Sequence, residues 1–374
     1  MKYAELREKI QNSPKYEECR RIERASLINE GFPGTFNLSY SEIPWLNEYG
    51  RYIDFDHDYI FSAVQSCIRF NDFDFMQGDK AWKYLGVFEM ADLDGIMTLS
   101  GKPNYQVHQK GKVKNLIAFL NDLGLDKNRV YITYCAGGNV QELTAGKYAF
   151  DFQIPEDKIS KEAFLEVGVP EENLIADRSR DTFLALHVYD RASPWGYRNE
   201  INFNVGTKEN PVFLDIATLE YGRWRPIFKD RDESKFDNTI GLIEPDCGFF
   251  INVFGLERLC MAANGLRKVR DVDYIKPFYD EMKRQNESED VLAGESLRAL
   301  HRIYSDIENY KCVPGRHQNK KINHLLSYVY ISLTNNDLGE LLKLHAEMQP
   351  WHDNLKNGIE PTLERIKAYR KSRK

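Results

Sequence analysis

The spacing of apolar residues divides the chain into two regions. Before about residue 255, short segments rich in aromatic and β-branched residues alternate with turn residues, a pattern that predicts strands. We predict strands at residues 130–135, 182–189, 200–205, 212–216 and 249–254, and helices at residues 3–29, 113–123 and 161–167. Most links between the strands are too short for crossover helices, which favours a mainly antiparallel sheet.

After residue 255, apolar residues recur every three or four positions, which predicts helices. The predicted helices are residues 256–265, 272–285, 292–307, 320–333, 338–348 and 361–371. The predicted fold class is therefore α+β, with a mainly antiparallel sheet flanked by helices and followed by an all-helical C-terminal region. We predict a catalytic domain at residues 1–265 and the helical region at residues 266–374.

The composition is that of a folded globular protein. Hydrophobic residues make up 42% and charged residues 29% of the 374 positions, which argues against disorder. No apolar run approaches the roughly 18 residues of a membrane span, and the N-terminus lacks a signal-peptide pattern. The six cysteines include no Cys-x-x-Cys pair, so we expect neither a disulfide framework nor a structural zinc site. We expect a cytoplasmic protein.

The charge of −6 is unevenly distributed. From Leu256 onward the net charge is +4, whereas the preceding residues carry −10. The basic C-terminal part permits a nucleic-acid partner, and a solvated basic helix surface explains it equally well.

Common chemical motifs are absent from the sequence. There is no phosphate-binding Gly-x-x-x-x-Gly-Lys-Ser/Thr loop, no Gly-x-Gly-x-x-Gly after a strand, no Gly-x-Ser-x-Gly and no His-Glu-x-x-His. Asp54-Phe-Asp56-His57-Asp58 contains metal-ligand residue types, but a turn with solvated carboxylates explains it better. The eight histidines are isolated in sequence, and we assign them no chemistry.

Five short segments occur along the chain in an order typical of one enzyme family. They are Gln65-Ser-Cys-Ile-Arg69, Gly86-Val-Phe88-Glu89-Met90, Asp181-Thr-Phe183-Leu184, Ser193-Pro-Trp-Gly-Tyr-Arg-Asn-Glu200 and Phe254-Gly255-Leu256-Glu257-Arg258. Together they resemble the catalytic core of alanyl-tRNA synthetase, a class II aminoacyl-tRNA synthetase. The resemblance implies that the protein uses ATP and Mg²⁺ to activate a carboxylate as its adenylate.

The resemblance also implies which residues contact ATP. Arg69 and Arg258 are the implied catalytic residues, because arginine stays charged and binds phosphate oxygens bidentately. Arg69 would hold the α-phosphate and the substrate carboxylate. Arg258 would lie over the adenine ring, with Phe88 on the other side.

Four further positions complete the implied ATP site. Glu89 would contact the adenine edge or support the loop, and Met90 and Gly255 would line the nucleotide pocket. Glu200 is the implied Mg²⁺ ligand, since Mg²⁺ takes one or two carboxylates besides phosphate oxygens.

The acid-binding residues depart from the family pattern. Ile251 stands where the family has an aspartate that pairs with the α-ammonium group of alanine, and Val253 replaces a glycine. Leu184 replaces a tryptophan of the pocket wall, and Thr218 replaces an asparagine. A buried ammonium without a counter-charge is unfavourable, so alanine is not the expected substrate.

Three functions are compatible with the sequence. The leading hypothesis is the activation of a small amino or carboxylic acid and its transfer to a carrier protein, a peptide or a small amine. One alternative is aminoacylation of a tRNA, and the other is a catalytically silent regulatory or binding protein. Retention of Arg69, Glu89 and Arg258 favours catalysis. By the same resemblance, residues 3–41 could pair two copies into a homodimer.

Overall fold

A large twisted sheet forms the centre of the protein. The structure, a computed structural model, describes residues 1–12, 20–28, 36, 59–98, 105–188, 191–229, 238–244, 247–286, 290–334 and 336–373. Within these residues the fold is α+β, with a mainly antiparallel sheet flanked by helices and a helical C-terminal region, so the predicted fold class is confirmed. The Asp54 to Asp58 segment lies outside the described residues.

Twelve strands are defined among the described residues. They are β1 (Arg20–Arg21), β2 (Tyr59–Ile68), β3 (Val87–Thr98), β4 (Val130–Cys135), β5 (Gly138–Asn139), β6 (Gln153–Ile154), β7 (Leu174–Asp177), β8 (Phe183–Val188), β9 (Arg191–Asn204), β10 (Phe213–Phe228), β11 (Thr239–Ile243) and β12 (Cys247–Gly255). Ten of them form the large sheet, in the order β1-β2-β3-β12-β10-β9-β4-β7, with β11 beside β10 and β8 beside β9. Only β1 with β2 and β4 with β7 run parallel among the described pairs of this sheet.

The described helices surround this sheet and continue beyond it. They are α1 (Tyr3–Gln11), α2 (Tyr105–Asp122), α3 (Val140–Leu143), α4 (Lys158–Glu166), α5 (Leu256–Ala263), α6 (Lys276–Asn286), α7 (Val291–Tyr310), α8 (Arg316–Ser332), α9 (Leu338–Glu347) and α10 (Ile359–Ser372). No helix among the described residues is long and apolar enough to cross a membrane.

The predicted first helix is too long. It was expected to cover residues 3–29, but α1 ends at Gln11, and Arg20–Arg21 pairs with β2 as a strand. The apolar spacing of three and four continues past the helix, but the β1 backbone hydrogen-bonds to β2 instead. Periodicity alone did not detect this change of partner.

The hydrophobic core extends over both parts of the chain. One cluster of buried side chains contains Leu6 of α1, Phe254 of β12, Leu300 of α7 and Ile366 of α10. The sheet and the C-terminal helices therefore share buried contacts. The predicted domain boundary between residues 265 and 266 stays a prediction. Secondary structure changes there, but one hydrophobic cluster contains residues from both sides.

The two faces of the sheet have different neighbours. Along β12 successive side chains point to opposite faces. Phe254 packs edge-on against Phe119 of α2, with ring centres 5.4 Å apart. Ile251 and Val253 have the opposite parity and line a cavity on the other face. The helices on one face thus leave the other face of the central strands open to a ligand.

Candidate functional site

A cavity of about 800 Å³ lies against the central strands, which is within the usual range for small-molecule sites. Antiparallel pairing places its residues, because residues directly opposite each other project to the same face. Thr218 of β10 lies between Glu200 of β9 and Val253 of β12. The next row along the same face consists of Arg198, Glu220 and Ile251. These six side chains form the end of the cavity that we call the acyl end.

The other end of the cavity contains two arginines from different elements. Arg69 follows directly after β2, and its guanidinium lies 5.3 Å from the ring centre of Phe88. Arg258 lies in the first turn of α5 and stands 5.3 Å from the ring centre of Tyr84. We call this part the nucleotide end.

Arg258 makes two polar contacts with other elements. Its Nε donates to the carbonyl oxygen of Lys83 at 3.1 Å, and its Nη1 lies 3.2 Å from Oδ2 of Asp215. The side chain of Asp215 is 42% exposed, so this ion pair is weak and water or a ligand can compete for it.

The acyl end carries two carboxylates near one arginine. Arg198 Nε donates to Glu220 Oε1 at 2.6 Å and lies 3.9 Å from Glu200 Oε1. Thr218 Oγ1 donates to Glu200 Oε2 at 3.3 Å. Burial, followed by repulsion from Asp215, raises the pKa of Glu200 to about 8, against which Arg198 acts only in part. The surroundings of Glu200 therefore favour its neutral form.

The structure brings most of the predicted site residues together. Nine of the eleven line the cavity, namely Arg69, Phe88, Met90, Glu200, Thr218, Ile251, Val253, Gly255 and Arg258. Phe88, the expected partner of Arg258 across the adenine, lies beneath Arg69. Their contacts with ATP and the acid stay predictions.

Glu89 and Leu184 lie outside the cavity lining. Glu89 directly follows Phe88 on β3 and so projects from the opposite face, where it is buried. Leu184 pairs with Gly196 on β9, beyond Arg198, and is buried in the sheet. The strand period of two explains why Glu89 points away from Phe88.

Glu89 belongs to a buried polar cluster behind the cavity. Its carboxylate accepts hydrogen bonds from Tyr3 Oη at 2.8 Å, from Arg7 Nε at 3.2 Å and from His352 Nε2 at 2.6 Å. Burial raises the pKa of Glu89, but His352, Arg7 and Arg302 outweigh it and hold this pKa well below its usual range. Burial and Arg302 lower the pKa of His352 to about 3, so its ring donates to Glu89 as a neutral group.

Glu257 connects this cluster to the cavity. It lines the cavity, accepts a hydrogen bond from Tyr274 Oη at 2.5 Å and accepts another from the backbone nitrogen of Glu89 at 3.0 Å. Burial, followed by repulsion from Glu89, raises its pKa to about 7. The residue beside Arg258 is thus fixed from the far side of the sheet.

Several cavity residues carried no sequence signal. Asp72 and Lys83 lie between the Cys-Ile-Arg and Phe-Glu-Met segments, and Arg180 lies before β8. They belong to turns and short 3₁₀ segments, where no periodicity marks a functional face. Within the described residues, no group of three or more His, Cys, Asp or Glu side chains could hold a metal ion by itself.

Comparisons with known proteins give distant structural similarities. No family model and no curated protein matches this chain. Among solved structures, a pyrrolysyl tRNA synthetase from Desulfitobacterium hafniense is similar over 72% of this chain and 71% of its own, with 15% identity and a TM-score of 0.31. The RNA binding domain of threonyl-tRNA synthetase from Cryptosporidium parvum Iowa II is similar over 76% and 73%, with 10% identity and a TM-score of 0.40.

At these TM-scores the similarities carry no argument about the site or the reaction. Both neighbours are tRNA synthetases or parts of them, and neither is named as an alanyl enzyme. The alanyl resemblance therefore depends on the sequence motifs alone.

Proposed function

We propose that this protein uses ATP to activate a small amino or carboxylic acid as its adenylate, releasing pyrophosphate. The observation that carries the proposal is the convergence of Arg69 and Arg258 on one cavity. They are 189 positions apart in the sequence, yet both line it together with Phe88, Met90 and Gly255.

The chemistry requires positive charge more than covalent groups. A carboxylate oxygen of the acid bonds to the α-phosphorus, and the bond from that phosphorus to the bridging oxygen breaks as pyrophosphate leaves. Negative charge grows on the phosphoryl oxygens, so fixed cations lower the barrier. Arg69 stabilises this charge, and Arg258 orients the nucleotide.

The cavity suits a polyanionic nucleotide in charge and space. Its lining includes the cations Arg69, Lys83, Arg180, Arg198 and Arg258. Its carboxylates are Asp72, Glu200, Asp215, Glu220 and Glu257. Burial raises the pKa of Asp72, Glu200 and Glu257, which reduces the negative charge that opposes a nucleotide. A Cβ added at Gly255 would meet no atom within 4 Å, so the backbone there is open to a close-lying ligand.

Glu200 fits a role as ligand of Mg²⁺. It is the predicted metal residue, and its half-buried carboxylate lines the cavity with Arg198 Nε 3.9 Å from its Oε1. Mg²⁺, when bound with ATP, neutralises phosphate charge. A single carboxylate suffices if phosphate oxygens and waters complete the shell, as is usual for this ion.

The proposed acceptor of the acyl group is a carrier protein, a peptide or a small amine. The amine or thiol of such an acceptor would attack the activated carbonyl and release AMP.

The test is ATP–pyrophosphate exchange with a panel of acids. We expect Arg69→Ala to lower the exchange rate roughly 10²- to 10³-fold, about 3–4 kcal/mol, because a charge-assisted contact to the transition state is lost. Arg129→Ala is the matched control, since Arg129 also lies over a phenylalanine, Phe203, at 5.0 Å but outside the cavity. Exchange that is unaffected by Arg69→Ala, or absent with every acid, rejects the proposal.

A further inference from the structure

At the acyl end, Arg198 donates a hydrogen bond to one carboxylate oxygen of Glu220. Glu220 is buried and lines the cavity, and Arg198 Nε donates to its Oε1 at 2.6 Å. Among the described residues no side chain donates a hydrogen bond to its Oε2. The arginine therefore fixes the orientation of Glu220 and leaves one oxygen as an acceptor.

A polar row on β10 faces an apolar row on β12. Thr218 lies two residues before Glu220 on the same face, and its hydroxyl donates to Glu200, which leaves its lone pairs as acceptors. Ile251 is directly opposite Glu220, and Val253 is directly opposite Thr218. A ligand between the two rows meets hydrogen-bond acceptors on one side and hydrocarbon on the other.

A second carboxylate of the cavity, Asp215, lies five positions before Glu220 on β10 and is therefore not a neighbour of Ile251. Asp215 lies at the nucleotide end of the cavity and pairs with Arg258 at 3.2 Å. Ile251 supplies no charge. Glu220 is the carboxylate that directly neighbours the position of Ile251, with Cβ atoms of such opposed residues typically about 5 Å apart.

We infer that Glu220 holds the ammonium group of the substrate, which makes the activated acid an amino acid with a small aliphatic body. Thr218 accepts a second hydrogen bond from the ammonium, and Ile251 and Val253 contact the carbon chain. The inference rests on the proposed function, because the acid must lie in the same cavity as ATP. The amine lies one strand away from Ile251, which suits an α-amino acid displaced toward β10 or a β-amino acid.

Binding measurements on the full chain test this inference directly. Calorimetric titration compares alanine and β-alanine with propionate, which has the same carbon number and no amine. We expect at least one of the amino acids to bind roughly 100-fold or more tightly than propionate, since polar pairing discriminates strongly. Glu220→Gln should reduce this preference to about tenfold or less.

Two further variants distinguish a specific loss of amino-acid binding from a loss caused by misfolding. Thr218→Val keeps the shape of the side chain and should weaken amino-acid binding several-fold. Glu244→Gln removes the carboxylate of another arginine pair on the sheet, Arg223 with Glu244 at 3.4 Å, outside the cavity, and should change nothing. Circular dichroism confirms that each variant is folded.

The outcomes separate this inference from the adenylation proposal. Equal binding of propionate, no binding of either amino acid, or an unchanged preference in folded Glu220→Gln overturns it. Exchange supported by propionate and not by amino acids also overturns it, yet leaves adenylation standing. Glu220-dependent binding of an amino acid without any exchange supports it and rejects adenylation.

Discussion

Two buried or half-buried glutamates on opposite faces of the sheet have opposite pKa shifts. Glu89 is a residue of β3 whose side chain projects away from the cavity. It accepts hydrogen bonds from Tyr3, Arg7 and His352, and its pKa lies well below the usual range. Glu200, on the cavity face, has a pKa of about 8 because it is buried near Asp215. Groups within the protein thus fully offset the cost of burying the Glu89 carboxylate, but only partly offset the cost of burying that of Glu200.

The difference indicates what each group is for. A buried charge whose partners all come from the same chain needs no ligand, and its role is to join elements of the fold. Glu89 connects β3 to α1 and to the segment before α10. A carboxylate that its own chain leaves poorly compensated has a lower free energy when a cation arrives from outside. Glu200 therefore belongs to the ligand-binding surface.

The largest expected effect is a loss of stability, and it tests Glu89, the carboxylate whose burial is fully offset. Glu89→Gln removes a buried charge and leaves Arg7 without its carboxylate partner, which should cost about 3–5 kcal/mol of unfolding free energy. Chemical denaturation measures the change. Asp215→Asn is the control on the cavity side, where an exposed ion pair should contribute less than about 1 kcal/mol. Equal losses in both variants would contradict the comparison.

A smaller effect is expected for the nucleotide end. Arg258→Lys keeps the charge but loses the planar face and the fork of donors, so ATP should bind about tenfold more weakly, about 1.4 kcal/mol. Titration of ATP measures the affinity. Arg223→Lys is a matched control, because Arg223 also combines an aromatic neighbour, Trp224, with a carboxylate, Glu244, outside the cavity. If both variants bind ATP like the parent, Arg258 does not stack on the nucleotide.

The sequence predicted the elements and the grouping of the motifs better than the orientation of single residues. Strand β4 and the start of α5 lie at the predicted positions, because their patterns are regular. Phe88 and Glu89 were both expected near the nucleotide, but successive side chains of β3 project to opposite faces, and only Phe88 lines the cavity. The contacts of both residues with ATP stay predictions.

Other features depended on pairing that the sequence does not encode locally. Glu220 lies opposite Ile251 because β10 pairs with both β9 and β12, although β11 intervenes in the chain. His352 reaches Glu89 from 263 positions away. Neither contact follows from spacing, because each is set by which elements pack together.

The smallest expected effect concerns the uncompensated carboxylate and its pH dependence. Glu200 has a pKa raised from 4.5 to about 8 in the folded protein. Between these values the folded state holds a proton that the unfolded state releases, so this contribution to stability is complete below pH 4.5 and is lost as pH rises through 8. Glu200→Gln removes the proton exchange and should flatten the decline between pH 6 and 7 by on the order of 1 kcal/mol. Denaturation of parent and variant at matched pH values measures the difference, and any contribution from Glu257 is common to both proteins. Parallel curves for the two proteins would mean that Glu200 is already ionised, and that its carboxylate is compensated as fully as that of Glu89.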